Sequence, residues 1–129
     1  MTTVIFIPIK ETQTKLIKLQ EIAQKQLWEK HPLFFLAADK PSIDFLDKLL
    51  WSGENFLPHP TPFLKIGLEL DPHYTTVFNL RPSAMTALER IKTIFEFEDH
   101  TSSERLQLSK QRYQTYRDQN FRIEYSVQF

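Results

Sequence analysis

The stretch VIFIPI, residues 4–9, decides the fold class of this chain. Its nearly unbroken run of apolar, largely β-branched side chains is typical of a strand buried on both faces of a parallel or mixed sheet. Outward from it, residues 12–28 repeat apolar side chains at intervals of three and four, which predicts an amphipathic helix. Residues 33–38 are apolar again and predict a second strand. We therefore expect the chain to open as strand, helix, strand, with residues 4–9 as the first, central strand.

The alternation of helices and strands continues to the end of the chain. A second helix runs to about Trp51, with either Pro41 in its first turn or Ser42 as its cap. Prolines interrupt the middle of the chain, where we expect no more than two short strands. The remaining elements predicted are strands near residues 64–70 and 75–80, a short helix over 86–92, a half-buried strand over 93–98, a long helix opened by capping-box spacing at 101–104 and ending near Gln119, and an edge strand or ordered tail over 121–129.

Short connections between alternating strands and helices predict a single α/β domain over residues 1–129, with a Rossmann-like, mostly parallel sheet flanked by helices. The 129 residues suffice for one domain, and 41% hydrophobic and 25% charged residues are typical of globular proteins. Only two glycines are present, Gly53 and Gly67. The glycine-rich nucleotide loop after the first strand is therefore missing, and we expect no nucleotide cofactor.

Several other function classes find no support in the composition. The chain lacks cysteine, its four histidines have no paired spacing, and no nucleophile elbow occurs, so we expect no metal, no cofactor and no catalytic residue. A formal net charge of zero limits any cationic site to a local patch. No apolar run approaches the ~20 residues of a membrane span, and no signal-peptide profile opens the chain. A cytoplasmic location is the expectation.

Acidic residues gather at Glu96, Glu98 and Asp99. Strand alternation places Glu96 and Glu98 on one face, and we interpret that face as solvated.

The last helix carries the most informative pattern. At about 100° per residue, Leu106, Lys110, Tyr113 and Arg117 fall in one stripe, so an aromatic ring lies between two cations. Such a face suits an acidic peptide that ends in an apolar side chain. The alternative is a core tyrosine with lysine and arginine stems packed around it.

A second candidate surface is formed by Trp51 and Phe56, large aromatic residues at an element boundary. They would serve either as interface anchors or as a cap on the core.

Two short motifs resemble those of a known family. LWSGENFLPH, residues 50–59, is similar to the Leu-Trp, four variable residues, Phe, aliphatic, Pro-His segment of the chi subunit of bacterial DNA polymerase III. KQRYQTYR, residues 110–117, with Phe121 after it, resembles that family's Arg-Tyr, two residues, Tyr-Arg helix. Leu-Arg at residues 80–81 and Phe-Glu-Asp at residues 97–99 fall in the matching order between the two motifs.

The resemblance implies a non-catalytic accessory subunit of the replicase that contacts DNA only indirectly and no membrane. Chi-family proteins join the clamp-loader complex by binding the psi subunit, and they hold the acidic C-terminal tail of the single-stranded DNA-binding protein. By position, Trp51 and Phe56 would form the psi interface, and Lys110, Tyr113, Gln114 and Arg117 would form the tail site.

Gln114 departs from the family, which often has a basic residue at this position. Tail affinity would then be lower, or the cation would come from Lys110, Arg112 or Arg117. Two other classes stay open: a direct single-stranded nucleic-acid-binding module that stacks bases on aromatic rings, and a small α/β enzyme with an unrecognised site.

Overall fold

The structure is a computed structural model that describes residues 2–51, 63–85 and 90–126. Its elements, in chain order, are β1 Thr3–Ile9, α1 Thr12–Trp28, β2 Leu33–Leu36, α2 Lys40–Trp51, β3 Leu64–Gly67, β4 Thr76–Asn79, β5 Thr93–Asp99, α3 Ser103–Asp118 and β6 Arg122–Tyr125. The predicted 86–92 helix falls partly outside the described residues, and residues 90–92, which are described, are not helical. The end of the predicted 121–129 segment and the part of the proline-rich stretch up to residue 62 also lie outside the described residues.

Within the described residues, six strands form one sheet in the order β3-β2-β4-β5-β1-β6, and every neighbouring pair is parallel. The structure thus confirms the Rossmann-like α/β fold. β1 lies inside the sheet between β5 and β6, as its apolar run predicts. β6 forms one edge, in agreement with the predicted edge strand, and β3 and β4 are shorter than predicted.

Helices cover both faces of the sheet. On one face, Leu19, Ile22 and Ala23 of α1 join Leu46 and Leu50 of α2 in a core with alternate strand residues. On the other face, α3 contributes the fully buried Tyr116 to a second core that contains Phe6 and Phe34. None of the described helices is long and apolar enough to cross a bilayer.

The chain leaves the neighbouring strands β1 and β5 in opposite directions. From β1 it runs through α1 to β2, whereas from β5 it runs through α3 past β1 to β6. A parallel sheet opens a crevice at the carboxyl ends of its strands where the direction reverses. The carboxyl ends of β1 and β5 are therefore the place in this fold that favours a ligand.

Both later helices begin at a side-chain cap. The Asp39 carboxylate accepts the Ser42 N–H at 2.9 Å, so Pro41 occupies the first turn of α2, and the alternative with Ser42 as the cap is wrong. At α3, the Ser102 hydroxyl accepts the Arg105 N–H at 3.1 Å. The predicted capping box begins at Thr101, but the observed N-cap is Ser102, one residue later. Thr101 does not cap the helix because its hydroxyl donates to Asp99.

Candidate protein-binding surface on the last helix

The inner face of α3 is polar, although it lies against the sheet. Ser109, Arg112 and Tyr116 are all buried there. Arg112 Nε donates to Glu96 Oε1 of β5 at 3.0 Å, and Asn79 Nδ2 of β4 donates to Glu96 Oε2 at 2.7 Å. The Tyr116 hydroxyl donates to the same carboxylate oxygen. We call Glu96, Arg112, Tyr116 and Asn79 the Glu96 cluster, which fastens α3 to the two strands beneath it.

The prediction that Glu96 lies on a solvated face is wrong, because its side chain is 0% exposed. Glu96 and Glu98 do share a face, but α3 and β6 cover it. Glu98 is half-buried and accepts the Tyr125 hydroxyl at 2.9 Å. Burial raises the pKa of Glu96 to about 7, against the opposing effects of Arg112 and the hydrogen bonds.

Arg112 cannot supply a cation to the protein surface. It is 8% exposed, and its Nη atoms donate to the carbonyls of Pro82 and Phe97, each at 3.0 Å. The suggestion that Arg112 replaces the basic residue missing at Gln114 is therefore wrong. Lys110 and Arg117 remain for that role.

The outer face of α3 presents the predicted stripe to solvent. Lys110, Gln114 and Arg117 are exposed, and Tyr113 is half-buried. Gln114 donates from its amide to Asp118 at 2.9 Å. Within the described part of the chain, neither Lys110 nor Arg117 forms a salt bridge, so both keep an uncompensated charge.

Tyr113 packs against aromatic rings from two neighbouring strands. Its ring centroid lies 5.7 Å from that of Phe6 on β1 and 6.4 Å from that of Tyr125 on β6. Tyr125 is 52% exposed, and burial together with its bond to Glu98 raises its pKa to about 12. The α3 surface therefore consists of Lys110, Tyr113, Gln114 and Arg117, extended by Tyr125.

Tyr125 is a surface residue that the sequence reasoning missed. Its only signal was the alternation of the predicted 121–129 segment, which assigned it to a strand but not beside Tyr113.

The second predicted pair lies apart from this surface. Trp51 is the last residue of α2, which packs on the sheet face opposite α3. The Trp51 side chain and Phe56 lie outside the described residues. Across residues 2–51, 63–85 and 90–126, no cluster of three or more acidic or histidine side chains could hold a metal ion.

The model of the family described as DNA polymerase III chi subunit, HolC, matches residues 1–124. The chain belongs to the DNA polymerase III chi subunit family. The match spans every described helix and strand except the last residue of β6, and it confirms the resemblance read from the two motifs. Membership of the chi family assigns the protein to DNA replication, as an accessory component of the DNA polymerase III complex. A comparison with curated proteins gave no significant match.

Proposed function

We propose that this chi-family protein connects the clamp-loader complex to the single-stranded DNA-binding protein. It would bind the psi subunit through Trp51 and Phe56 and hold the acidic C-terminal tail on the α3 surface. It would act without catalysis or cofactor, contact DNA only indirectly, and work in the cytoplasm, where these partners assemble.

The observation that carries the tail-binding proposal is the pair of exposed, uncompensated cations around Tyr113. Lys110 and Arg117 lie three residues before it and four residues after it, so both reach the same side of the helix. Their charges would bind the carboxylates of the tail. The exposed edges of Tyr113 and Tyr125 would pack the apolar side chain at its end.

Tethering would be the mechanism of this subunit. A contact made by two surface cations is weak in isolation. Binding of the tail becomes effectively intramolecular when the same protein is also part of the clamp-loader complex. Linking the two sites raises the effective concentration of the tail to the millimolar range for short linkers. Template DNA coated with the single-stranded DNA-binding protein would therefore stay close to the polymerase while individual tail contacts dissociate and re-form.

The test is fluorescence anisotropy of a labelled peptide with an acidic stretch and a free, apolar C-terminal end. We expect saturable binding that weakens as salt rises, because exposed charge pairs are screened. Arg117→Glu should lower the affinity about tenfold or more, as expected when a charge-assisted contact becomes a repulsion.

Lys48→Glu provides the matched control, because it makes the same charge change at an exposed residue of α2. It should bind the peptide like the unmodified protein. Unchanged affinity in both Lys110→Glu and Arg117→Glu would overturn the assigned site.

Labelled oligo-dT is the parallel probe. Binding of oligo-dT without binding of the peptide would contradict the tail-binding proposal and favour direct nucleic-acid binding.

A further inference from the structure

A second candidate site lies at the carboxyl end of the sheet, away from the stripe on α3. A cavity of about 180 Å³ opens there between α1, the segment after β4 and the first half of α3. This volume greatly exceeds the ~10–15 Å³ that one water molecule needs. Its lining contains four basic side chains, from Lys15, Arg81, Arg105 and Arg112.

Two of these cations are already paired with carboxylates. Arg112 binds Glu96, and Lys15 Nζ lies 2.9 Å from Asp99 Oδ2. Asp99 also accepts the Thr101 N–H at 3.0 Å, so both of its oxygens are engaged. The acidic groups at the cavity are therefore occupied by the protein itself.

The other two cations have no acidic partner among the described residues. Arg81 Nε donates to the Ala37 carbonyl at 3.1 Å, and Nη2 donates to the Leu68 carbonyl. These neutral acceptors fix the guanidinium but leave its charge uncompensated. Arg105 donates from Nη1 to the Thr101 hydroxyl at 3.2 Å. Arg81 and Arg105 thus contribute two uncompensated positive charges to the cavity, and both keep N–H groups that have no partner among the described residues.

We propose that this cavity binds a phosphate group, either as free inorganic phosphate or as part of a small phosphorylated molecule. The excess charge matches a dianion. The two unpaired guanidinium groups come from different elements, the segment after β4 and α3, so they could contact different oxygens of one phosphate.

The position in the fold supports the same conclusion. The cavity lies where the sheet reverses its connections, which is where open α/β sheets bind ligands. Phosphate sites at this edge commonly rely on backbone N–H groups of a glycine-rich turn. Here guanidinium groups would supply the donors, and the glycine-rich turn would not be needed.

Nuclear magnetic resonance titration of the ¹⁵N-labelled protein with inorganic phosphate, at constant ionic strength set by chloride, tests the proposal. We expect saturable shifts confined to amides around the cavity, such as those of Arg81 and Arg105. Acetate should bind more weakly, and equal affinity for acetate would overturn the assignment to phosphate.

Arg105→Gln is the informative variant, because Arg105 is exposed and its one described side-chain contact is with a hydroxyl. It should weaken phosphate binding about tenfold. Arg117→Gln, the same change on the same helix outside the cavity, should leave it unaltered. Unsaturable shifts spread over surface cations, or full affinity in Arg105→Gln, would overturn the proposal and show that phosphate binds as an adventitious ion only.

A parallel titration with deoxyadenosine monophosphate distinguishes free phosphate from a phosphorylated molecule. Tighter binding than that of phosphate indicates a nucleotide, and equal binding indicates phosphate itself.

Discussion

At the scale of single residues, the Glu96 cluster determines how α3 is held. A fully buried carboxylate and a nearly buried guanidinium meet at 3.0 Å, and neighbours hydrogen-bond to the second carboxylate oxygen and to both Nη atoms. Buried pairs of this kind contribute little net stability, because desolvation offsets their attraction. What the pair supplies is a unique position for α3, since any shift of the helix would leave a buried charge without its partner.

Replacing Arg112 with Met tests this pairing through its pH dependence. Burial raises the pKa of Glu96 to about 7, so the folded protein keeps a proton that the unfolded chain releases above about pH 4.5. The free energy of unfolding should therefore fall as pH rises between these values, and without Arg112, whose charge favours the carboxylate, the fall should continue to higher pH. We expect Arg112→Met to cost about 3–5 kcal/mol at pH 8 and clearly less at pH 5, where Glu96 is protonated.

Urea unfolding at the two pH values measures the difference. Arg122→Met is the control, because Arg122 pairs with Glu124 on the exposed edge strand. Its loss should be small and independent of pH. An equal loss at pH 5 and pH 8 in Arg112→Met would contradict the role given to Glu96.

The solvent-facing positions of α3 were predictable from the sequence, whereas the burial of Glu96 was not. Helical spacing placed Lys110, Tyr113 and Arg117 on one face, as the structure has them. Strand alternation showed that Glu96 and Glu98 share a face, but it carries no information about what covers that face. The covering element, α3, follows β5 in the chain, and Arg112 became a partner for Glu96 only through the tertiary fold.

At the scale of elements, the boundaries set by local chemistry were predictable. The start of α1 and its end at Trp28 follow from apolar spacing and the His-Pro pair after it. β5 was predicted as half-buried because its charged residues alternate, yet it is an inner strand with neighbours on both sides. Strand order depends on long-range pairing, which no local pattern encodes.

Asp99 joins three elements at the end of β5. It binds Lys15 of α1 at 2.9 Å and the Thr101 N–H and hydroxyl ahead of α3. Burial would raise the pKa of Asp99, but the bonds from Thr101 and Lys15 outweigh it and hold the pKa below its ordinary value of 3.8. The stabilisation that ionised Asp99 provides is therefore present above about pH 4, and it is lost as pH falls through the pKa of Asp99 in the folded protein.

Asp99→Asn should lower the free energy of unfolding by about 1.5–3 kcal/mol at neutral pH, because the charge-assisted bond to Lys15 is lost. The difference from the unmodified protein should shrink as the pH falls below 4. Thermal unfolding monitored by circular dichroism from pH 2 to 7 records this convergence. Curves that stay parallel down to pH 2 would show that the Asp99 charge has no part in the junction.

At the scale of the whole molecule, the sheet separates the two proposed partner surfaces. α2 ends at Trp51 on one face, and α3 lies on the other. Binding at one surface should therefore leave the other accessible, which is what a connecting subunit requires.

Trp51→Ala tests the independence of the two surfaces. We expect it to weaken psi binding about tenfold or more, as for an interface anchor, while binding of the acidic peptide stays unchanged. Size-exclusion chromatography with psi and anisotropy with the peptide measure the two effects. Normal psi binding by this variant would assign Trp51 to the core instead, and competition between psi and the peptide would contradict separate surfaces.

The position of β1 also has a consequence for how the protein is made. Among the described strands, β1 pairs with β5 and β6, whose residues lie between 93 and 125. During synthesis at about 5–20 residues per second, its apolar run leaves the ribosome several seconds before either neighbour exists. The strand that decides the fold is therefore the one that waits longest for hydrogen-bonding partners. We expect this apolar run to stay unpaired in the nascent chain until β5 has been synthesised.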